Sequence, residues 1–250
     1  MTDKGPTRIQ LCGRLAVELA GRDLTTKLPG GQARVLFTYL TVRRALPSQR
    51  VQMIVALWPW RAPDGADASL SALLSRLRSG LGNDVLAGRS DVIVLLPQDA
   101  WIDLEAAEEA IHRAEAAVAQ QDWSRGWGPS LVALFTARRG FLPGEDLPWA
   151  EEYRRRLDEI RIAALECYAA VALGVGGSEL APGERAAREL IAAAPYRERA
   201  HAVLMQLLVA RGNGAEALRV YETLRERLRD ELGATPAPEL RELQAELLRR

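Results

Sequence analysis

Catalysis and metal binding draw most often on histidine and cysteine, and this chain holds few of either. It has two histidines and two cysteines in 250 residues. Neither His112, in "AIHRAEA", nor His201, in "ERAHAVL", has a cysteine or a second histidine nearby to complete a metal-ligand set, so a solvated or structural role is expected for both. Cys12 and Cys167 lie far apart, each on an apolar face. They read as buried free thiols of a reducing compartment. "GVGG" at 174–177 has no strand before it and no Lys-Ser/Thr after it, so it reads as a turn between helices, not a phosphate loop. Arg154, Arg155 and Arg156 stand among Glu151, Glu152, Asp158 and Glu159, the pattern of a solvated, salt-linked face. Trp127, in "RGWGP", is expected in the core. No catalytic residue, metal or cofactor follows from these residues, and the expectation is a non-enzyme.

Binding chemistry is better represented. In "ASLSALLSRLRSGLG" (68–82), Leu70, Leu74, Leu77 and Leu81 fall at i, i+4, i+7 and i+11, the stripe of a helix. The opposite side carries Ala68, Ala72, Ser75 and Ser79, with Arg76 on its flank. Such a bare outer face is unusual for a solvated helix but suits one that presses into a groove, where methyl and backbone contacts need close approach. Arg76 is then the candidate for a base or phosphate contact, assisted by Ser75, Ala72 and Ser79. Arg78 projects sideways toward the nucleic-acid backbone, and Arg89 reaches it from the segment that follows. Arg34 and Arg43 either position neighbouring helices on phosphates or are ordinary surface cations. Net charge is zero, yet residues 1–103 hold 13 Lys+Arg against 9 Asp+Glu, and the remainder 20 against 24. A mildly basic first part and an acidic second part permit a local DNA footprint with little stray affinity.

The elements that must position these residues are short in the first hundred positions. "RIQLCG" and "LAVELAGRDL" read as strands around a turn at Gly21-Arg22. "GGQARVLFTYLTVRR" reads as a helix with Val35, Leu36, Tyr39 and Leu40 on one face. "PSQRVQMIVALW" reads as a second, with Ser48 as N-cap and Val51, Ile54, Val55 and Trp58 inward. "DVLAGRSDVIVLL" gives two strands around "AGRS". Small sheet, three helices and terminal hairpin make a winged helix-turn-helix, in which the third helix is offered to the major groove.

From Asp103 onward the chain reads as all helix, opening with Asp103 as N-cap of an acidic first turn. Trp149, Tyr153, Leu157, Ile160, Ala164, Cys167, Tyr168 and Val171 form one long buried stripe. Helices at Pro182–Ala194, Arg197–Arg211, Gly214–Leu232 and Pro236–Arg249 follow. Ala217 followed by Tyr221 has the small-then-aromatic pattern of a tetratricopeptide helix. The expected fold is therefore mostly α: a winged helix-turn-helix domain over residues 1–102, then a tetratricopeptide-like helical domain over 103–250. Length supports two domains, and 48% apolar with 26% charged residues is a globular composition, not a disordered one. No apolar run is long enough to span a bilayer and "MTDKGPTRIQ" lacks the pattern of a signal peptide, so a cytoplasmic protein is expected.

Over nearly its full length the chain resembles the Streptomyces antibiotic regulatory protein (SARP) family. "GGQARVLFTYL", "ALW" at 56–58 and "SRLR" at 75–78 stand where the family has its winged-helix signatures. "LPWAEEYRRRLDEIRIAALE", "PYRERAHAVLMQLL" and "GNGAEALRVYETLRERLRDELGATPAPELREL" resemble its bacterial transcriptional activator domain. The resemblance implies a transcriptional activator with an OmpR-type winged helix that binds promoter direct repeats as a side-by-side homodimer. It also implies contact with RNA polymerase and its principal sigma factor, and no cofactor. The sequence departs from the family pattern in two places: only Arg76 and Arg78 are charged on the expected reading surface, and Arg89, beside Asp91, is the hairpin's only cation. The rival reading is a regulatory module that binds a protein or small ligand and whose winged helix has lost or weakened DNA binding.

Overall fold

A computed structural model of the chain describes residues 5–249. They divide into two compact units. The first runs through Ala106 and takes in Arg139–Leu157; the second comprises Ala107–Arg138 and the chain from Asp158 onward.

The first unit opens with strands β1 (Arg8–Gln10), β2 (Ala16–Leu19) and β3 (Arg22–Asp23). The β2–β3 turn is Ala20-Gly21, one residue earlier than the sequence suggested. Both residues have left-handed backbones (φ 50° and 74°), which matches the twist of a tight hairpin. Helices α1 (Gln32–Val42), α2 (Arg50–Leu57) and α3 (Ala66–Leu81) follow. A second sheet joins β4 (Ser48–Gln49), β6 (Asp91–Val94) and β5 (Leu86–Ala87), in the order β4-β6-β5. This is a winged helix-turn-helix. Strand β7 (Trp101–Ile102) closes the first sheet by pairing parallel to β1, with Arg8 opposite Trp101. Two residues are too short to show a period, so nothing local announced it.

The inward face of α2 differs from the expected one. Met53, Ala56 and Leu57 are buried, while Val51 and Val55 are 70% and 58% exposed. Positions 51, 54, 55 and 58 and positions 53, 56 and 57 both fit a helical stripe, so the period could not choose between them. Packing against α1 and α3 chose the second. Ser48 is not the N-cap either: it pairs with Val92 in the wing sheet. Gln49 caps instead, in a reciprocal box with Gln52.

Helices α4 (Asp103–Ala119), α5 (Trp123–Arg139), α6 (Ala150–Val175), α7 (Leu180–Ala193), α8 (Glu198–Ala210), α9 (Gly214–Arg227) and α10 (Pro238–Leu248) complete the chain. Asp103 does not serve as an exposed N-cap. Its buried carboxylate accepts the backbone N–H of Leu11 (2.7 Å) and of Cys12 (3.1 Å), with Arg139 at 3.3 Å. Burial raises its pKa, and the two N–H donors and Arg139 oppose that rise. The same end of β1 is held by the returning segment: Cys12 bridges to Phe141, and Gly13 donates its N–H to the Gly140 carbonyl at 2.8 Å. Phe141, Trp149, Tyr153 and Tyr39 form one aromatic cluster, with ring centroids 5.0–6.1 Å apart. Trp149 Nε1 donates to the Ala56 carbonyl of α2 (3.1 Å). Arg154 pairs with Glu151, as a salt-linked face predicts, but it is not simply solvated: it also donates to the Phe141 and Leu142 carbonyls at 3.1 and 2.9 Å and so fastens the loop before α6.

The second unit is all helix. Helix α5 was not foreseen, because Gly126, Gly128 and Pro129 mask its period. Gly126 allows close approach to α6, since a Cβ there would stand 2.9 Å from Val171. Trp127 is 43% exposed, contrary to the core role expected, and donates to Glu179 at 3.2 Å. From Leu157 to Val171 the α6 stripe is buried as its spacing predicted. Ala217 and Tyr221 are buried in α9. With α7, α8 and α9 packed in succession, the unit is tetratricopeptide-like. No helix among the described residues is long and apolar enough to cross a membrane, and no cluster of His, Cys, Asp and Glu that could hold a metal is present among them.

Candidate nucleic-acid interface

Helix α3 is well specified by its sequence. It starts after Gly65, whose left-handed backbone (φ 73°) ends the preceding loop, and Asp67 in its first turn suits the helix dipole. At the far end Gly82, at φ 109°, donates its N–H to the Arg78 carbonyl and stops the helix. Leu70, Leu73, Leu74, Leu77 and Leu81 are buried. Gly80 lets the last turn settle on the preceding chain, because a Cβ would lie 2.7 Å from the Lys27 carbonyl.

The outer face is then Ala72, Ser75, Arg76 and Ser79, all exposed and brought together by the helix. No acidic side chain of α3 interrupts it after Asp67. Its surface is low, with one guanidinium standing above hydroxyls and methyls. That relief admits a helix deep into a groove and leaves one cation to reach base edges.

Arg78 and Arg89 belong to the wing in different ways. Arg78 is half-buried, donating from Nε to the Leu86 carbonyl (3.2 Å) and from Nη2 to the Gly88 carbonyl (2.6 Å). Its guanidinium is thus committed to joining the hairpin to α3. Arg89 is exposed at the hairpin tip, beside Gly88, whose φ of +87° makes the turn and whose missing Cβ avoids the Asp91 carbonyl.

A residue that sequence reasoning missed binds these parts together. Arg50, the first residue of α2, contacts Asp67 Oδ1 (2.6 Å), the Asp67 carbonyl (2.9 Å) and Ser71 Oγ (2.7 Å), and reaches toward the Arg89 carbonyl (3.5 Å). It fixes the first turn of α3 relative to α2 and the wing. Its partners are 17 or more residues away, so no local pattern signalled it.

Arg34 and Arg43 are separated by the length of α1, about 14 Å at 1.5 Å per residue. Arg34 lies half-buried in the first turn. Arg43 caps the other end, its guanidinium 5.5 Å from the centroid of the Tyr39 ring and its Nε buried without a hydrogen-bond partner among the described residues. It is drawn onto the aromatic cluster.

Comparison with known proteins places this architecture. The family model for the bacterial transcriptional activator domain matches residues 102–248, more than half of the chain. Regulatory protein AfsR of Streptomyces griseus is 35% identical over 223 residues, covering 87% of this chain and 22% of that protein. AfsR of Streptomyces coelicolor is 34% identical over 248 residues, covering 98% and 24%. The chain therefore spans less than a quarter of the length of those relatives. The structure of Mycobacterium tuberculosis EmbR in complex with a low affinity phosphopeptide superposes with a TM-score of 0.75 at 25% identity, covering 97% of this chain and 65% of that one. The chain belongs to the bacterial transcriptional activator domain family and, within it, to regulators of the SARP type.

Proposed function

We propose that the chain is a sequence-specific DNA-binding transcriptional activator whose α3 enters the major groove. The observation that carries this reading is the low face of Ala72, Ser75, Arg76 and Ser79, anchored from behind by five leucines and flanked by a wing tip bearing Arg89. In this reading Arg76 contacts a base or phosphate, Arg89 and Arg34 contact phosphate, and Arg78 acts by holding the wing. A DNA-binding domain over residues 1–102 and an activator domain over 103–250 are part of the proposal. So are binding to direct repeats as a homodimer and contact with RNA polymerase and its sigma factor, which rest on family membership.

Two substitutions test it. Arg76→Ala removes the one cation of the groove face, and a lost bidentate base contact costs about 1–3 kcal/mol at a specific site. The loss on random DNA is smaller, because only phosphate attraction remains there. Ser79→Glu places a carboxylate on the same face and abolishes specific binding. Neither side chain is buried, so circular dichroism stays unchanged while fluorescence anisotropy reports affinity. If both variants retain the affinity of the parent for a DNA that the parent binds, α3 is not the reader.

The rival reading, a docking module with weakened DNA binding, draws on the arginines turned inward: Arg43 onto Tyr39, Arg50 onto Asp67 and Arg78 onto the wing. Salt dependence separates the two. About three phosphate contacts at −0.9 each give a log–log slope of roughly −2 to −3 per protomer. A slope near zero favours the docking module.

A further inference from the structure

Helices α7, α8 and α9 line an open cleft of about 930 Å³, within the second unit and unused by the DNA-binding reading. That volume is in the range of small-molecule sites. Its walls are apolar at Ile191, Leu204 and Val220, and arginine predominates among its charged groups. Arg188, Arg219 and Arg227 line it with one lining acid, Glu216, and Arg227 also lies 3.6 Å from Glu231. Arg188 is anchored by Glu216 (2.6 Å) and Glu184 (2.9 Å), which hold its guanidinium in place. The first turn of α9 opens onto the same space through Asn213, Gly214 and Ala215, and Asn213 as N-cap makes no side-chain capping bond. A helix N-terminus adds positive potential and N–H donors to the guanidinium groups of Arg219 and Arg227.

A second and independent observation lies in the wall. His201, 2% exposed, lines the cleft, and its Nε2 lies 3.0 Å from the Pro195 carbonyl. A carbonyl only accepts, so Nε2 carries the proton and Nδ1 presents a lone pair. That Nδ1 is buried and finds no hydrogen-bond partner among the described residues. Burial also lowers the pKa of the ring, which keeps it neutral and the lone pair free. A buried acceptor left unpaired is costly and rare in native structures.

We propose that this cleft is a binding site for a small organic anion with an apolar body and a hydroxyl donor. The anion sits among Arg219, Arg227 and the α9 N-terminus, the apolar body lies on Ile191, Leu204 and Val220, and on binding the His201 ring turns away from the Pro195 carbonyl to bring Nδ1, shielded in the unliganded chain, to the hydroxyl. The inference does not depend on DNA binding.

The test is a ¹H–¹⁵N NMR titration of the full chain with 6-hydroxy-2-naphthoate, whose hydroxyl is remote from its carboxylate, as probe, compared with 2-naphthoate, neutral 2-naphthol and inorganic phosphate. Saturable shifts are expected at Gly212, Gly214 and Ala215 and at the ring nitrogens of His201. The probe should bind more tightly than all three comparators. Arg219→Glu, an exposed substitution that leaves the fold intact, should weaken it by about tenfold or more, as expected for loss of one charge-assisted hydrogen bond. Arg227→Gln should weaken it in the same direction. Absence of saturable shifts at millimolar probe, shifts confined to other regions, equal binding of 2-naphthol, or an unchanged affinity in both variants would each overturn the proposal.

Discussion

Replacing Asp103 should loosen the first unit at the end of β1. The carboxylate is fully buried and accepts two backbone N–H groups, from Leu11 at 2.7 Å and Cys12 at 3.1 Å. Hydrogen bonds to a charged acceptor contribute about 1.5–3 kcal/mol each, and their donors become unpaired when it is removed. Two such bonds set a loss of about 3–6 kcal/mol for Asp103→Ala. Relief of the burial cost that raises the carboxyl pKa offsets part of this, which places the expected loss at the low end, about 3 kcal/mol. Asp103→Asn keeps one carbonyl acceptor but turns an NH₂ toward the second donor, so it should lose less, about 2 kcal/mol. Amide hydrogen exchange reads the effect locally: a 3 kcal/mol loss accelerates exchange at Leu11 and Cys12 by roughly a hundredfold. The two variants should also differ from the parent in pH dependence. A carboxyl with a raised folded-state pKa contributes stability that is complete below its ordinary value of 3.8 and is lost as pH rises through the raised value. Asparagine cannot ionise and should lack that decline. Exchange at Leu11 and Cys12 that changes less than about fivefold in Asp103→Ala, equivalent to about 1 kcal/mol, would refute the assignment of this carboxylate as the clamp of β1.

Arg78→Met should free the wing from α3 without removing a phosphate contact, losing about 1–3 kcal/mol of local stability; faster amide exchange across 86–94, with an unchanged salt slope of DNA binding, checks it. Arg50→Ala should act likewise on the first turn of α3, so Ser71 and its neighbours should lose protection while α10 does not. A fragment ending at residue 102 lacks Phe141, Trp149 and Tyr153, leaving Tyr39 and α2 uncovered; it should bind a hydrophobic dye and show weak near-ultraviolet dichroism, whereas the full chain should not. His201 is buried with a lowered pKa, an effect of burial to which Arg227 adds and which the Pro195 carbonyl and Glu198 oppose. Because the unfolded chain takes up the proton first, stability should fall as pH drops below the ordinary value of 6.5. Comparison of denaturation midpoints of parent and His201→Gln across that range measures it, and parallel curves would show that another group is responsible.

Much of the fold was legible wherever burial left a regular period. The leucines of α3, the α6 stripe from Leu157 to Val171 and the Ala217–Tyr221 pair each repeat at helical spacing, so their faces could be read directly. Legibility failed where one period fitted two faces, as in α2, where Met53 and not Val51 turned inward. It failed again where glycine and proline interrupt a helix, as in α5, and where an element is two residues long, as in β7. At the candidate interface the exposed residues were readable: Ala72, Ser75, Arg76 and Ser79 share a face because a helix must place them so. The arginines were not. An arginine at the start or end of a helix looks solvated in sequence, but the tasks of Arg50, Arg78 and Arg43 are set by partners brought near only by tertiary structure.

The chain leaves its first unit at Ala106 and returns to it at Arg139. On a ribosome this delays completion. The wing, all three helices of the winged fold and β7 emerge early, but the aromatic lid over Tyr39 and the strand partner of Cys12 are not yet made. At roughly 5–20 residues per second, the fifty-odd residues from 107 to 157 take several seconds to appear. Throughout that interval the nascent winged helix carries an uncovered apolar surface. The order of synthesis thus makes a finished winged helix-turn-helix conditional on translation having passed residue 157, and a message broken before that point releases a chain whose first unit lacks its aromatic lid.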